Sequence, residues 1–320
     1  MRLFFIVLFL SLASCKVEQH SSSNISPRWY AGTAPVAINL LGVELVDAGT
    51  GWAVGDLGLT NGTILKTEDG GQQWQPIAQT NEILSCVHFI DKLTGWVAGY
   101  AGRIQKTSDG GRSWQVLRGE QEGEVLNSIF FADQRNGWAV GASGLVLVTV
   151  DGGGTWERIQ TGRVEDLWTV RFVSPRNGWI VGEDGVILHS INGGREWKPE
   201  VQGSGKALLG LAAEAGAPIV AVGESGNILR SDDGVKWVSV DSRTTETLNG
   251  VTSVDGKIFW AVGSKGATVG SSDGGRSWSP VPAVSSHDLM AVKAVDAAHG
   301  LAVGRRGTVQ ILTGEAVTGK

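Results

Sequence analysis

The chain has 320 residues, a formal net charge of -5, 47 glycines, two methionines and a 42% hydrophobic fraction rich in Val, Ile and Leu. An acidic balance gives no footing for nucleic acid, which basic patches bind by neutralising phosphates, and the apolar content excludes disorder over most of the length. So much glycine points to many short strands joined by tight turns and away from long helices.

In chain order, Arg2 comes first, before an apolar run over 3–10 that is too short to span a bilayer. Leu12, Ala13, Ser14 and Cys15 follow, which completes the layout of an export signal over 1–15. That tetrapeptide resembles the bacterial lipoprotein box. The resemblance implies cleavage before Cys15, a thioether lipid on it and an acylated new N-terminus, hence a membrane anchor. Each buried CH₂ of such a chain contributes about 0.8 kcal/mol, and several chains make attachment stable. Lys16 in place of aspartate favours, in the sorting logic of lipoproteins, the outer membrane. Residues 16–28 are polar and serine-rich and read as a flexible tether. With Cys15 acylated, Cys86 has no disulfide partner.

From residue 51 onward a phrase recurs: GWAVG, GWVAG, GWAVG, GWIVG, IVAVG, FWAVG and GLAVG, closing on Gly55, Gly99, Gly141, Gly182, Gly223, Gly263 and Gly304. The intervals are 44, 42, 41, 41, 40 and 41 residues, so the chain holds seven repeats. Each repeat breaks into four strand-length runs rich in β-branched and aromatic residues. Four strands per unit at this period is a propeller blade, and seven blades close a ring without long exposed edges. The predicted fold is therefore all-β, a seven-bladed propeller with four-stranded blades over 29–314, followed by a short tail over 315–320.

A second phrase occurs six times, in the pattern Ser/Thr-x-Asp-Gly followed by Trp: TEDGGQQW, TSDGGRSW, TVDGGGTW, SINGGREW, SDDGVKW and SSDGGRSW. Its acids are Asp69, Asp109, Asp151, Asp233 and Asp273, with Asn192 in the fourth copy. A carboxylate there accepts bonds from nearby amides and the hydroxyl to fold an Asx-type turn, and glycine supplies positive φ. Asn192 makes the same turn but cannot act as a base, so the phrase reads as structure.

The seventh repeat stops without its Trp-led fourth strand. Trp29 stands 11 residues before Leu40, as Trp156, Trp197, Trp237 and Trp278 stand before Leu167, Leu208, Leu248 and Leu289. Residues 29–35 are thus expected to complete the last blade. Of 13 tryptophans, seven share this position and five (Trp52, Trp96, Trp138, Trp179, Trp260) share another between blades, where Val220 and Leu301 fill the two remaining sites; Trp168 alone fits neither. Cys86 aligns with small residues in every other repeat and reads as a packing position.

The turn phrase resembles the Asp-box, found between the third and fourth strands of blades in sialidases and sortilin-type receptors, away from the ligand face. Together with GWAVG and the lipoprotein box, it most closely resembles the photosystem II stability and assembly factor family, over about 29–314. That resemblance implies a non-catalytic protein-binding scaffold with a protein client, for which a photosystem II subunit is the specific candidate. Its place would be the cell envelope, on the periplasmic side of the outer membrane or, in a photosynthetic host, the thylakoid lumen side. A general envelope-binding propeller of a non-photosynthetic bacterium is the alternative, and a monomer is expected.

In propellers the loops joining second to third strands ring one face. Here they supply Tyr100 and Arg103 on blade 2, an acidic arc of Glu183, Asp184 and Glu224 on blades 4 and 5, and a basic arc of Lys265, Arg305 and Arg306 on blades 6 and 7. Such a rim can orient a protein partner electrostatically, or simply be a solvated rim. The competing reading is a glycosidase, in which Glu183, Asp184 and Glu224 would have to supply an acid and a base facing one cleft. A sialidase would further need an arginine cluster and a tyrosine nucleophile; the only tyrosines are Tyr30, in the predicted closing strand, and Tyr100. No catalytic residue is assigned. His20, His88, His189, His287 and His299 lack ligand spacing and no glycine pair opens a helix, so neither metal nor cofactor is expected.

Overall fold

The computed structural model describes residues 25–35, 38–58, 60–200 and 205–316. Cys15, the signal segment, the tether up to 24 and the end of the tail from 317 lie outside the described residues.

Seven four-stranded antiparallel sheets form the blades of a β-propeller. Blades 1 to 6 are meanders in chain order, each running outward from the axis. Their inner strands are Asn39–Leu45, Leu84–Phe89, Leu126–Phe131, Leu167–Phe172, Leu208–Ala212 and Leu248–Val254. Blade 7 runs Leu289–Ala294, His299–Gly304 and Thr308–Ala316, and its outermost strand is Ile25–Thr33 from the other end of the chain. The expected closure is present, with Trp29 buried and opposite Leu312. The strand differs from expectation in starting at Ile25, four residues ahead of the expected boundary, so that 25–28 belong to the blade and not to the tether. The cause is the partner strand, which runs on to Ala316 and pairs with every residue back to Ile25. Pro27 is tolerated because this is an edge strand.

The glycine ruler has a steric origin. A Cβ at Gly55, Gly141 or Gly263 would collide with the carbonyl of Asn39, Val125 or Thr247, the residue just before the first leucine of the same blade's inner strand, and the other closing glycines are equally confined. That loop carbonyl crosses over the second strand in each blade, and only glycine leaves room.

Blades are joined by an aromatic relay. Trp52, Trp96 and Trp138 lie flat on Phe89, Phe131 and Phe172 of the following blade, with ring centroids 3.5, 3.6 and 3.6 Å apart. The Asp-box tryptophans Trp114, Trp156 and Trp197 meet the same phenylalanines edge-on. Four of the five inter-blade indoles also bond across the gap: Trp52, Trp96, Trp138 and Trp179 Nε1 donate to the carbonyls of Gly110, Gly152, Gly193 and Gly234 at 3.2, 3.3, 2.9 and 2.8 Å. Those carbonyls belong to the next blade's Asp-box turn, so the turn closes its own hairpin and also receives its neighbour. Blade 5 has Val220 in place of the tryptophan, and Arg230, the residue paired with it, takes over the bond: its Nε donates to Gly274 O at 2.6 Å.

The Asp-box network follows the predicted chemistry. In the second copy Thr107 Oγ1 donates to Asp109 Oδ1 at 2.8 Å, Ser113 N to the same oxygen at 2.9 Å and Ser113 Oγ to Oδ2 at 2.6 Å. Asn192 Oδ1 accepts the equivalent bonds from Ser190 Oγ and Glu196 N, both at 3.0 Å. The bonds from Ser113 hold Asp109 at about 2, well below the usual carboxylate range. A carboxyl depressed on folding contributes stability in full above its unfolded value near 4, and loses it as pH falls toward 2. Asp109→Ala is therefore expected to lower the thermal midpoint at pH 7. Asp109→Asn should keep the turn as Asn192 does, lie between the two at pH 7 and converge with the wild type below pH 2. Melting curves at both pH values check this; an unchanged midpoint for Asp109→Ala contradicts it.

Candidate functional site

Because each blade is a meander, the loops between second and third strands and those leading into the inner strands share one face, and the Asp-box turns lie on the other. On blades 4 to 7 the former are short 3-10 turns, Glu183–Gly185, Glu224–Gly226, Ser264–Gly266 and Arg305–Gly307. Their middle residues, Asp184, Ser225, Lys265 and Arg306, have φ of 52 to 56°, a left-handed conformation followed in each case by glycine. This backbone turns the middle side chain away from the blade.

All the rim residues expected from the sequence lie on this face, but many are engaged. Glu183 Oε2 and Glu224 Oε2 each accept from the amide just before the neighbouring inner strand, Asp166 N and Ala207 N, at 3.2 Å. Both acids fasten loops. In the basic arc Lys265 Nζ pairs with Glu246 Oε1 at 3.0 Å and Arg305 Nε with Asp288 Oδ2 at 3.4 Å, whereas Arg306 has no acidic partner among the described residues. Arg103 is held by Glu82 at 2.7 Å and Glu120 at 3.3 Å. Tyr100 is half exposed and stands at the channel mouth.

The channel itself was not foreseen in the sequence. Every inner strand carries a β-bulge at one register, just after its first leucine, and the extra residue points inward: Leu41, Ser85, Asn127, Trp168, Leu209, Asn249 and Met290. The polar members cap the next blade. Asn127 Nδ2 donates to Leu167 O at 3.0 Å, Asn249 Nδ2 to Leu289 O at 2.8 Å, and Ser85 Oγ to Leu126 O. Below this ring sit the small residues, Cys86 among them, because neighbouring inner strands almost touch; a Cβ on Gly210 would lie 3.0 Å from the Cα of Gly250. Burial pushes the Cys86 thiol up to about 12, and it stays a protonated, unreactive packing group. These walls enclose about 450 Å³.

Two residues further along the inner strands the register holds Glu44, His88, Phe130, Arg171, Ala212, Thr252 and Lys293. Glu44 is buried and contacts Lys293 Nζ at 2.8 Å and His88 Nδ1 at 3.0 Å. Burial alone would raise its pKa, but the Lys293 ammonium and His88 outweigh that and hold it at about 2. His88 Nε2 lies 3.0 Å from Phe131 O. Arg171 stands over the Phe130 ring, 5.8 Å from its centroid, and desolvation lowers its pKa. Aligning the repeats two residues past the small position would have exposed this charged floor.

A model of the family described as Photosynthesis system II assembly factor YCF48 matches residues 21–122, 77–163 and 116–237, more than half of the chain. The chain belongs to the YCF48 family. No curated protein sequence matches it. Among solved structures, a YCF48 bound to a D1 peptide is 20% identical with a TM-score of 0.75, over 90% of this chain and 97% of that one. YCF48 from Cyanidioschyzon merolae is 21% identical with a TM-score of 0.70, over 89% and 98%. The GH74 xyloglucanase from Xanthomonas campestris is 15% identical with a TM-score of 0.68, over 88% of this chain but 53% of that enzyme. At these identities the likenesses show the shared propeller; membership of the YCF48 family rests on the sequence match.

Proposed function

We propose that the protein is a non-catalytic, protein-binding scaffold that engages its client through the face carrying the second-to-third-strand loops. The observation that carries this is the division of that rim, with Asp184 beside the loop-fastening Glu183 and Glu224 on blades 4 and 5, and Lys265, Arg305 and Arg306, the last without an acidic partner among the described residues, on blades 6 and 7. Opposed arcs of charge steer a complementary partner and fix its orientation more than they add affinity. Membership of an assembly-factor family, one solved relative of which carries a D1 peptide, supports a membrane-protein subunit as the client class, a photosystem II subunit in a photosynthetic host.

Scaffold is favoured over glycosidase because Glu183 and Glu224 each bind a loop amide. Replacing Lys265, Arg305 and Arg306 together by alanine should cut client capture, measured by crosslinking in the native membrane, at least tenfold. Undiminished capture would reject this face. Attachment through an acylated Cys15 belongs to the same proposal and suits a client in the envelope membrane. Cys15→Ser should move the protein from the membrane pellet to the soluble fraction, and a pelleting variant would refute the anchor.

A further inference from the structure

The central channel combines features that a scaffold does not require. Its wall of about 450 Å³ is built of 22 residues, and Arg171 is the one that carries a charge. Arg171 lies three residues deeper than Trp168, roughly 10 Å at ~3.3 Å per residue. Its Nη1 donates to Val170 O at 2.8 Å and reaches Ser128 Oγ at 3.5 Å. Nε and Nη2 have no acceptor among the described residues, and no carboxylate lies within ion-pair distance. Glu44, the acid of the channel floor, is already taken up by Lys293 and His88. Counting Glu44, Lys293 and Arg171, the floor carries an excess positive charge inside an acidic protein. Desolvation weighs against the charged guanidinium and the nearby Glu44 charge offsets that only in part, so an anion entering the channel would relieve the remainder.

We propose that the channel is a binding site for a small organic carboxylate with an apolar body, whose carboxylate is held by the free Nε and Nη2 edge of Arg171. That edge offers the parallel pair of bonds that a carboxylate accepts. Above it the wall is the ring of small residues and the bulge side chains Leu41, Leu209 and Met290, with Trp168 and Tyr100 at the mouth, which suits an aliphatic or aromatic body. The volume falls in the lower part of the range for small-molecule sites, ~300–1,000 Å³. A peptide fits less well. The polar side chains Ser85, Asn127 and Asn249 are committed to the Leu126, Leu167 and Leu289 carbonyls, so they offer the amides of a buried peptide no side-chain acceptor.

The site shares Tyr100 with the client-binding rim but none of its basic arc, and the test separates the two. Full-length protein is titrated by calorimetry with 4-phenylbutyrate, with 4-phenylbutyramide and with an apolar tripeptide bearing a free C-terminus. The expected result is saturable one-to-one binding of the acid, at least tenfold tighter than the amide. Arg171→Gln should abolish that difference and Arg171→Lys keep part of it, while the Lys265, Arg305, Arg306 triple variant binds the acid normally. Absence of saturable binding, equal affinity for amide and acid, or binding of the tripeptide alone would overturn the proposal. Should Arg171→Gln fail to fold, the ratio of acid to amide in the unaltered protein decides.

Discussion

Removing the chain through residue 36 should destroy the cooperative fold, whereas removal through residue 24 leaves the closing strand intact. Ile25–Thr33 pairs along its whole length with Thr308–Ala316. Without it, a nine-residue strand becomes an open edge of blade 7 and a template for aggregation. Trp29, 6% exposed, is lost from its edge-on contact with Trp260, whose centroid is 5.8 Å away. Deleting one buried tryptophan side chain costs about 3–5 kcal/mol. The ladder bonds of the strand contribute roughly 0.5–1.5 kcal/mol each on top of that. The sum rivals the whole stability of a typical domain, about 5–15 kcal/mol. The truncated protein is therefore expected as aggregate or as a species without a sharp melting transition, and Trp29→Ala alone as folded but strongly destabilised. A synthetic peptide spanning residues 25–36 should restore the transition in trans, since the strand is joined to the rest of blade 7 by pairing and packing alone. A sharp, unshifted transition in the truncated protein would refute closure by this strand.

What the sequence made legible is what every blade must repeat. Gly55 and its six counterparts recur because a loop carbonyl leaves no room for a Cβ, and the Asp-box recurs because one carboxylate and one hydroxyl fold the same turn each time. Both rules are local, so periodicity displays them. The partners of the rim charges are not local in this sense. Lys265 meets Glu246 and Arg305 meets Asp288 through loops whose paths follow from blade packing, and no spacing announces them. The boundary of the closing strand was missed for a similar reason, since Ser26, Pro27 and Arg28 look like linker and become strand only because the partner strand reaches Ala316. The charged floor lay in plain view as departures from a repeat. Glu44, His88, Arg171 and Lys293 share one register with Phe130 and Ala212, and their meaning depends on seven inner strands converging on an axis. Trp168, the tryptophan that fitted no pattern, turns out to stand on a bulge at the channel mouth. Shared features specify the ring, and exceptions to them mark where this ring differs from any other.

Trp138→Val is expected to be among the most destabilising single changes, at about 3–5 kcal/mol, because it removes two kinds of contact at once. The indole lies 3.6 Å from the plane-stacked Phe172 ring by centroid distance, and its Nε1 donates to Gly193 O at 2.9 Å. Valine would leave a cavity on one side and an unbonded carbonyl on the other. Blade 5 nevertheless has Val220 at this position, and its solution can be transplanted. There Arg230, paired across from Val220, bonds Gly274 O, and Asp232 two residues on accepts from both Nη atoms at 2.9 and 2.6 Å, which balances the charge. In blade 3 the residue paired with Trp138 is Val148, and Val150 stands two residues on. The triple variant Trp138→Val, Val148→Arg, Val150→Asp rebuilds that arrangement. It should recover about 1.5–3 kcal/mol of the loss, the range of a hydrogen bond made by a charged group. Val148→Arg without the new aspartate should recover less, because its guanidinium would be desolvated without a counter-ion. Denaturant titration of the three variants gives the order directly. A triple variant no more stable than Trp138→Val would mean that the arginine in blade 5 fills space and that the bond to the neighbouring turn adds little to the joint between blades.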